Sequence, residues 1–385
     1  MKDLGTELQA RKADHLYRTR RISESPQQAD MIIDGHKVIS FCSNDYLGLA
    51  NHPRVKAAFI DGIERYGAGS GAAHLINGHS RAHHQLEEAL AEFSGYPRAL
   101  LFSTGYMANL GVAQALAGKG DTLLEDRLNH ASLIDGGLLS GARLIRYAHN
   151  DVNDLASKLA SRDAGEKFVL SDGVFSMDGD IANVSSLAHT CSQHDAWLMI
   201  DDAHGIGVLG KNGRGTLSHC DVDTAEVPIY MATLGKALGT AGAFVAGNDD
   251  LVESLIQQAR TYIYTTAQPA AIAIATLESL RILKDEPERR EKLLANIEYF
   301  KQCAQQAGLD ISNSKTAIQP IIIGEVEKAL EISRQLFDSG LHVTAIRPPT
   351  VPQGTARLRI TLSAGHSNSH IDQLISTLGN LPVYR

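Results

Sequence analysis

One lysine, Lys236, stands in the stretch MATLGKALGTAG (Met231–Gly242), surrounded by Gly, Ala and Thr. Small neighbours let other atoms approach an amine. An amine drawn partly out of water titrates lower and becomes the better nucleophile for imine formation. Upstream, Asp201-Asp202-Ala203-His204 closes the apolar run WLMID. The C-terminal end of a buried strand is where open α/β sheets collect ligands. Taken alone, such an Asp reads as a turn or helix cap. Joined to a lysine in a small-residue loop after a later strand, it points to pyridoxal phosphate. The amine would form a Schiff base with the aldehyde, and the carboxylate would keep the ring nitrogen protonated, making the ring an electron sink.

Other residues suit the same cofactor. The segment STGYMAN (Ser103–Asn109) lies between a strand and a helix, where backbone N–H groups can hold a phosphate. Thr233 and the pair Thr265-Thr266 offer hydroxyl donors, and His130 in LNHASLIDG offers an aromatic plate for the ring. Each alone reads as a local cap; together they describe one site.

Competing motifs fail on context. Gly205-Ile-Gly207-Val-Leu-Gly210 fits GxGxxG, but KNGRG follows it, whose glycines do not suit the helix that a dinucleotide fingerprint requires. GAGSGAAH (Gly67–His74) follows a helix-like segment instead of a strand. Lys236 is followed by Ala, so the Walker pattern fails too. His79 and His83 have no acidic companion at zinc spacing and read as surface or local hydrogen-bonding residues, so no metal is expected.

The elements that must position these residues follow from periodicity. Runs RALLF, DTLL, LIRY, KFVLS, WLMID, IYMA and GAFVA, between Arg98 and Ala246, read as strands and alternate with helix-length stretches such as His83–Ser94 and Asp151–Ser161. That alternation predicts an α/β domain with a mostly parallel sheet. The division expected is an N-terminal arm over 1–43, a large domain over 44–284 and a small α+β domain over 285–385, the break falling at DEPERR. The arm reads as a polar helix with a basic end (Arg18, Arg20, Arg21), then a short strand pair around MIIDGHKVISF.

The chain of 385 residues is 43% hydrophobic with a net charge of −8. That balance argues against nucleic acid or an anionic membrane as partner. Four scattered cysteines with no CxxC pair fit a reducing compartment. With no signal-like or membrane-spanning apolar run, a cytoplasmic location is expected.

SNDYLGLANHP (Ser43–Pro53), LNHASLIDG, DGVFSMDGD (Asp172–Asp180), DDAHGIGVLG and TLGKALG (Thr233–Gly239) together resemble the α-oxoamine synthases, fold-type-I pyridoxal phosphate enzymes, from near Leu16 to near His366. The resemblance implies a large domain with a mostly parallel seven-stranded sheet and a small C-terminal domain. It implies a homodimer with active sites between subunits. Lys236 would carry the cofactor, Asp201 pair with its ring nitrogen, His204 bond its phenolic oxygen and His130 stack on it. Ser176 would contact it, Gly105, Tyr106 and Thr233 hold it, and Thr265 or Thr266 reach the phosphate of the neighbouring subunit. Arg359 would clamp the amino acid carboxylate, Asn44 would be a further substrate contact, and Arg18 and Thr350 would meet the acyl substrate; Arg20 and Arg21 compete with Arg18 for that place.

GSGAAHLINGHSRAHHQLE (Gly69–Glu87) and AIRPPTVPQGTARLRITLSA (Ala345–Ala364) look most like the members that condense L-alanine with a pimeloyl thioester of CoA or acyl carrier protein. Arg347, held by two prolines, is expected to help recognise the acyl chain. The rivals are the member that joins glycine to acetyl-CoA, a cofactor-binding regulator without turnover, and a dinucleotide oxidoreductase.

Overall fold

The computed structural model describes residues 2–162 and 164–381. They fall into two compact units, one of Leu49–Ser176 and Ile181–Arg290, the other of Met1–Gly48, Met177–Asp180 and Glu291–Arg385.

The larger unit is built on seven strands: β1 (Arg98–Phe102), β2 (Thr122–Asp126), β3 (Arg143–Tyr147), β4 (Lys167–Asp172), β5 (Trp197–Asp201), β6 (Ile229–Thr233) and β7 (Ala243–Gly247). Their order is β1-β7-β6-β5-β4-β2-β3. Only β7 runs antiparallel to its neighbours; the other pairs are parallel. The expected mostly parallel seven-stranded sheet is therefore present, each strand within a residue or two of its apolar run. Parallel strands covered on both faces need apolar residues at successive positions. In β5, Leu198 and Ile200 enter one core cluster and Met199 the other. Asp201 shares the face of Met199, against which helix Gly105–Leu116 packs through Ala108 and Val112.

The smaller unit joins both ends of the chain. The hairpin Asp30–Ile33 and His36–Ser40 turns at Asp34-Gly35, both at positive φ (49° and 77°), as a two-residue Asp-Gly turn requires. Its second strand pairs in parallel with Leu341–His342. A second sheet orders Ile318–Gly324, Ala356–Thr361 and Thr344–Ile346 antiparallel. The N-terminal helix differs from its expectation: it spans Leu4–Ala13 and stops at Asp14, and His15 turns out at φ 56°. Arg18, Arg20 and Arg21 thus follow the helix in extended chain, where only a short bridge at Ser23 to Ile33 is formed.

The loop after Gly205 is a series of turns ending in the 3-10 turn Lys211–Gly213, so no helix begins inside GxGxxG. Inside the larger unit, Glu125 of β2 is fully buried, and neither carboxylate oxygen has a hydrogen-bond partner among the described residues. Burial pushes its pKa up to about 7. The folded chain therefore holds this proton more tightly than the unfolded chain, whose value is near 4.5, and stability falls as pH climbs between the two. Replacing Glu125 by Gln should remove that loss. Urea unfolding at pH 5 and pH 8 should show the variant gaining on the wild-type chain by about 1–3 kcal/mol at the higher pH, and an equal difference at both pH values would refute the assignment.

Candidate active site

Asp172, Asp201 and Thr233 end three adjacent strands, and helices Gly105–Leu116 and Ala131–Ser140 begin beside them. Their side chains and first turns enclose a cavity of about 180 Å³ in the larger unit. Gly105, Tyr106, His130, Ser176, Asp201, His204, Thr233 and Lys236 all line it. Residues from five stretches of sequence are thereby gathered at the C-terminal ends of the central strands.

The floor is a buried polar network. Asn109, on helix Gly105–Leu116, donates one amide N–H to Asp201 Oδ2 (2.7 Å) and one to Ser132 Oγ (2.8 Å). Asp201 Oδ1 accepts from the Ala203 N–H (3.0 Å), so both carboxylate oxygens are held and the acid is aimed. His130 caps helix Ala131–Ser140, its Nδ1 accepting from the Ser132 N–H (3.3 Å) and lying 2.7 Å from Ser132 Oγ. An Nδ1 that accepts carries no proton, so the neutral ring has its hydrogen on Nε2. Burial lowers the His130 pKa and keeps the ring neutral, against the opposing pull of Asp201. Asp172, fully buried, accepts the His130 N–H (3.0 Å). Burial and then the adjacent Asp201 charge raise its pKa well above the usual range.

Across the cavity, Lys236 Nζ lies 2.8 Å from His204 Nε2. The lysine sits in the loop between β6 and β7, closed by the Leu234 N–H to Gly242 O (2.8 Å) and the Thr240 N–H to Leu234 O (3.0 Å). Not all of its small residues make room for a ligand. A Cβ at Gly239 (φ 66°) would come 2.4 Å from the Ala50 nitrogen, and one at Gly242 (φ 104°) 2.6 Å from Gln268 Oε1. Those two glycines answer to backbone conformation and close packing. Thr233 Oγ donates to Gly242 O (2.9 Å), tying the same loop.

The donors fit pyridoxal phosphate. Thr104 caps its helix by accepting the Met107 N–H (3.1 Å). A helix start leaves its first N–H groups for an anion, and Gly105 and Tyr106 face the cavity there. Tyr106 also donates its hydroxyl to Asp135. A held carboxylate, a neutral imidazole and an amine thus line one cavity, which matches a ring nitrogen, a ring face and an aldehyde. Thr265 and Thr266 are not among the lining residues; Thr266 is exposed and bridges to Ala73.

The remaining residues lie in the smaller unit. Arg359 is buried and donates to Asn44 Oδ1 (3.2 Å from either terminal nitrogen) and to Thr361 Oγ (2.9 Å). Arg357, two residues earlier on the strand, is instead ion-paired with Asp178. Arg347 donates to the backbone oxygens of His15 and Tyr17, which brings Arg18 beside it. Thr350 is exposed in the following turn, its N–H donating to Arg347 O (3.2 Å).

Asn109, Ser132 and Asp172 had no chemical assignment in the sequence reading. Their roles come from side chains meeting across separate elements, and only the polar residues inside otherwise apolar helices and strands marked them. Replacing Asn109 by Ala removes the charge-assisted bond to Asp201, a loss of about 1.5–3 kcal/mol. The expected result is a fall in kcat/KM of about 10–100-fold, with a changed pH titration of the bound-cofactor absorbance. Unchanged kinetics and titration would contradict this role.

The class I and II aminotransferase family matches residues 36–378. An 8-amino-7-oxononanoate synthase from Thioalkalivibrio sulfidiphilus is 59% identical over 379 residues, 98% of this chain and 97% of that protein. A crystal structure of 8-amino-7-oxononanoate synthase from Francisella tularensis superposes with a TM-score of 0.77 at 34% identity, covering 89% of this chain and 97% of that one. A variant of serine palmitoyltransferase from S. paucimobilis, solved with a bound PLP–myriocin aldimine, superposes at 0.91 with 31% identity, covering 98% and 96%. The chain belongs to the class I and II aminotransferase family and, within it, to the α-oxoamine synthases.

Proposed function

We infer that the chain makes 8-amino-7-oxononanoate in biotin biosynthesis, condensing L-alanine with a pimeloyl thioester of CoA or acyl carrier protein and releasing CO2 and the free thiol. The observation that carries this reading is Lys236 beside His204 and in one cavity with the held Asp201 carboxylate, in a chain 59% identical to a relative of that name.

Pyridoxal phosphate supplies an aldehyde that condenses with amines and a ring that takes up the electron pair left at an amino acid's Cα. The chain's own residues do the rest. With the cofactor bound, Lys236 would hold its aldehyde until the substrate amine took that place, and the freed lysine amine would be placed to take the Cα proton. His204 Nε2, 2.8 Å away, positions that amine by a hydrogen bond. Asp201, aimed by Asn109 and Ala203, would hold a proton on the ring nitrogen. His130 would lie against the ring, with Ser176 as a further contact; both line the cavity. The N–H groups at Gly105 and Tyr106 would hold the phosphate; the Thr233 hydroxyl reaches it only by giving up its bond to Gly242 O. Thr265 and Thr266 serve the site of the second subunit in a homodimer.

Arg359 clamps the alanine carboxylate. It is preferred over Arg357, which is committed to Asp178 by an ion pair. Arg18, Arg347 and Thr350 meet the acyl group, two cations suiting the free carboxylate of a dicarboxylic chain. Among the described residues no helix is long and apolar enough to cross a membrane.

Product analysis tests this directly. Purified holoenzyme should convert L-alanine and pimeloyl-CoA to the oxo acid with CO2 release, and Lys236→Ala should lose that turnover, by about 10⁴-fold or more when a residue acts inside a catalytic unit. Turnover of glycine with acetyl-CoA, and none with alanine, would move the assignment to glycine C-acetyltransferase. Near-normal activity of Lys236→Ala would exclude the lysine's role.

A further inference from the structure

Away from that cavity, the larger unit gathers four histidines and a glutamate at the start of helix Arg81–Ser94. His83 is fully committed. Its Nδ1 accepts the Ser80 N–H (3.0 Å) and its Nε2 faces Gln268 O (2.8 Å). The others are arranged differently. His79 Nδ1 and His74 Nδ1 are 3.0 Å apart, so one of them donates to the other. When His79 is the donor, its Nε2 carries a lone pair, and that atom points toward Glu87 Oε2 at 3.8 Å. Glu87 is 13% exposed at its side chain, and its other oxygen accepts the Leu101 N–H (3.0 Å). His84 stands one turn before Glu87 on the same helix face. The ligating atoms of His79, His84 and Glu87 all lie within 4.8 Å of one another.

We propose that His79, His84 and Glu87 form a binding site for a divalent transition ion of the zinc type. Two imidazoles and one carboxylate are a common three-ligand zinc set, with bond lengths of about 2.0–2.2 Å. Small side-chain shifts bring the three atoms onto such a sphere. The surroundings supply what a metal site needs beyond its ligands: His74 accepts the far N–H of His79, and Leu101 holds the far oxygen of Glu87. Magnesium and calcium prefer all-oxygen sets, which this is not. The three side chains line a cavity of about 580 Å³, which leaves a coordination position open. The sequence shows no acidic companion for His79 at zinc-finger spacing. The fold provides Glu87 by turning the chain through the π-helical segment His74–Gly78 and over the first turns of the next helix. A bound ion would pin that segment to the helix.

The test is cobalt(II) binding to the chelator-treated holoenzyme, followed by visible ligand-field absorption. The wild-type chain should take up one ion per chain saturably, and Zn2+ should displace it. His84→Ala and Glu87→Gln should each weaken binding at least about tenfold, while the cofactor absorbance stays unchanged. His84 is half exposed (51%), so its variant keeps the fold. Absence of saturable uptake, or uptake equal in the wild-type chain and both variants, would overturn the site.

Discussion

The structure depends on one placement: a carboxylate, Asp201, held at the C-terminal end of a central strand by an amide from a helix and a backbone N–H from its own turn. Burying an acid is costly unless its oxygens are satisfied. Here the satisfaction comes from Asn109, itself 1% exposed, which also reaches Ser132 and through it His130. The sheet, the helix on its face and the ring-bearing turn are thus tied through one polar chain. Any shift of helix Gly105–Leu116 would misalign the acid and the imidazole together, and would carry the free N–H groups of its first turn with it.

The same economy governs the lysine loop. Gly239 and Gly242 let the loop close tightly against Ala50 and Gln268, and the closed loop presents Lys236 to His204. The amine is positioned by packing behind it, not only by space in front of it. A second buried acid nearby, Asp202, is locked by the Thr216 N–H (2.8 Å) and the Tyr230 hydroxyl (2.7 Å). It keeps the glycine-rich turns after β5 in shape, which explains why a fingerprint-like sequence occurs there without a dinucleotide helix.

The fold was legible in the sequence because the inner strands are short apolar runs bounded by turn-forming residues, whereas the edge strand Arg143–Tyr147 keeps two exposed arginines. That Lys236, Asp201, His204 and His130 meet at one cavity was expected from the sequence, because each stands in a distinct motif at a strand end or loop. Asn109, Ser132 and Asp172 were not, since their meaning lies in contacts between elements far apart in the chain. Glu87 was hidden for the same reason. The arginines of the arm were misplaced on a helix end because charge patterning does not reveal a stop at Asp14 and a positive φ at His15.

The central claim is that the Asp201 charge controls the bound ring, and one measurement reaches it most directly. Visible absorbance of Asp201→Asn, loaded with pyridoxal phosphate and titrated with L-alanine, should show cofactor retained but an amino acid response far weaker than that of the wild-type chain, with most of the turnover lost. An Asp201→Asn chain with the wild-type spectral response and rate would contradict the account.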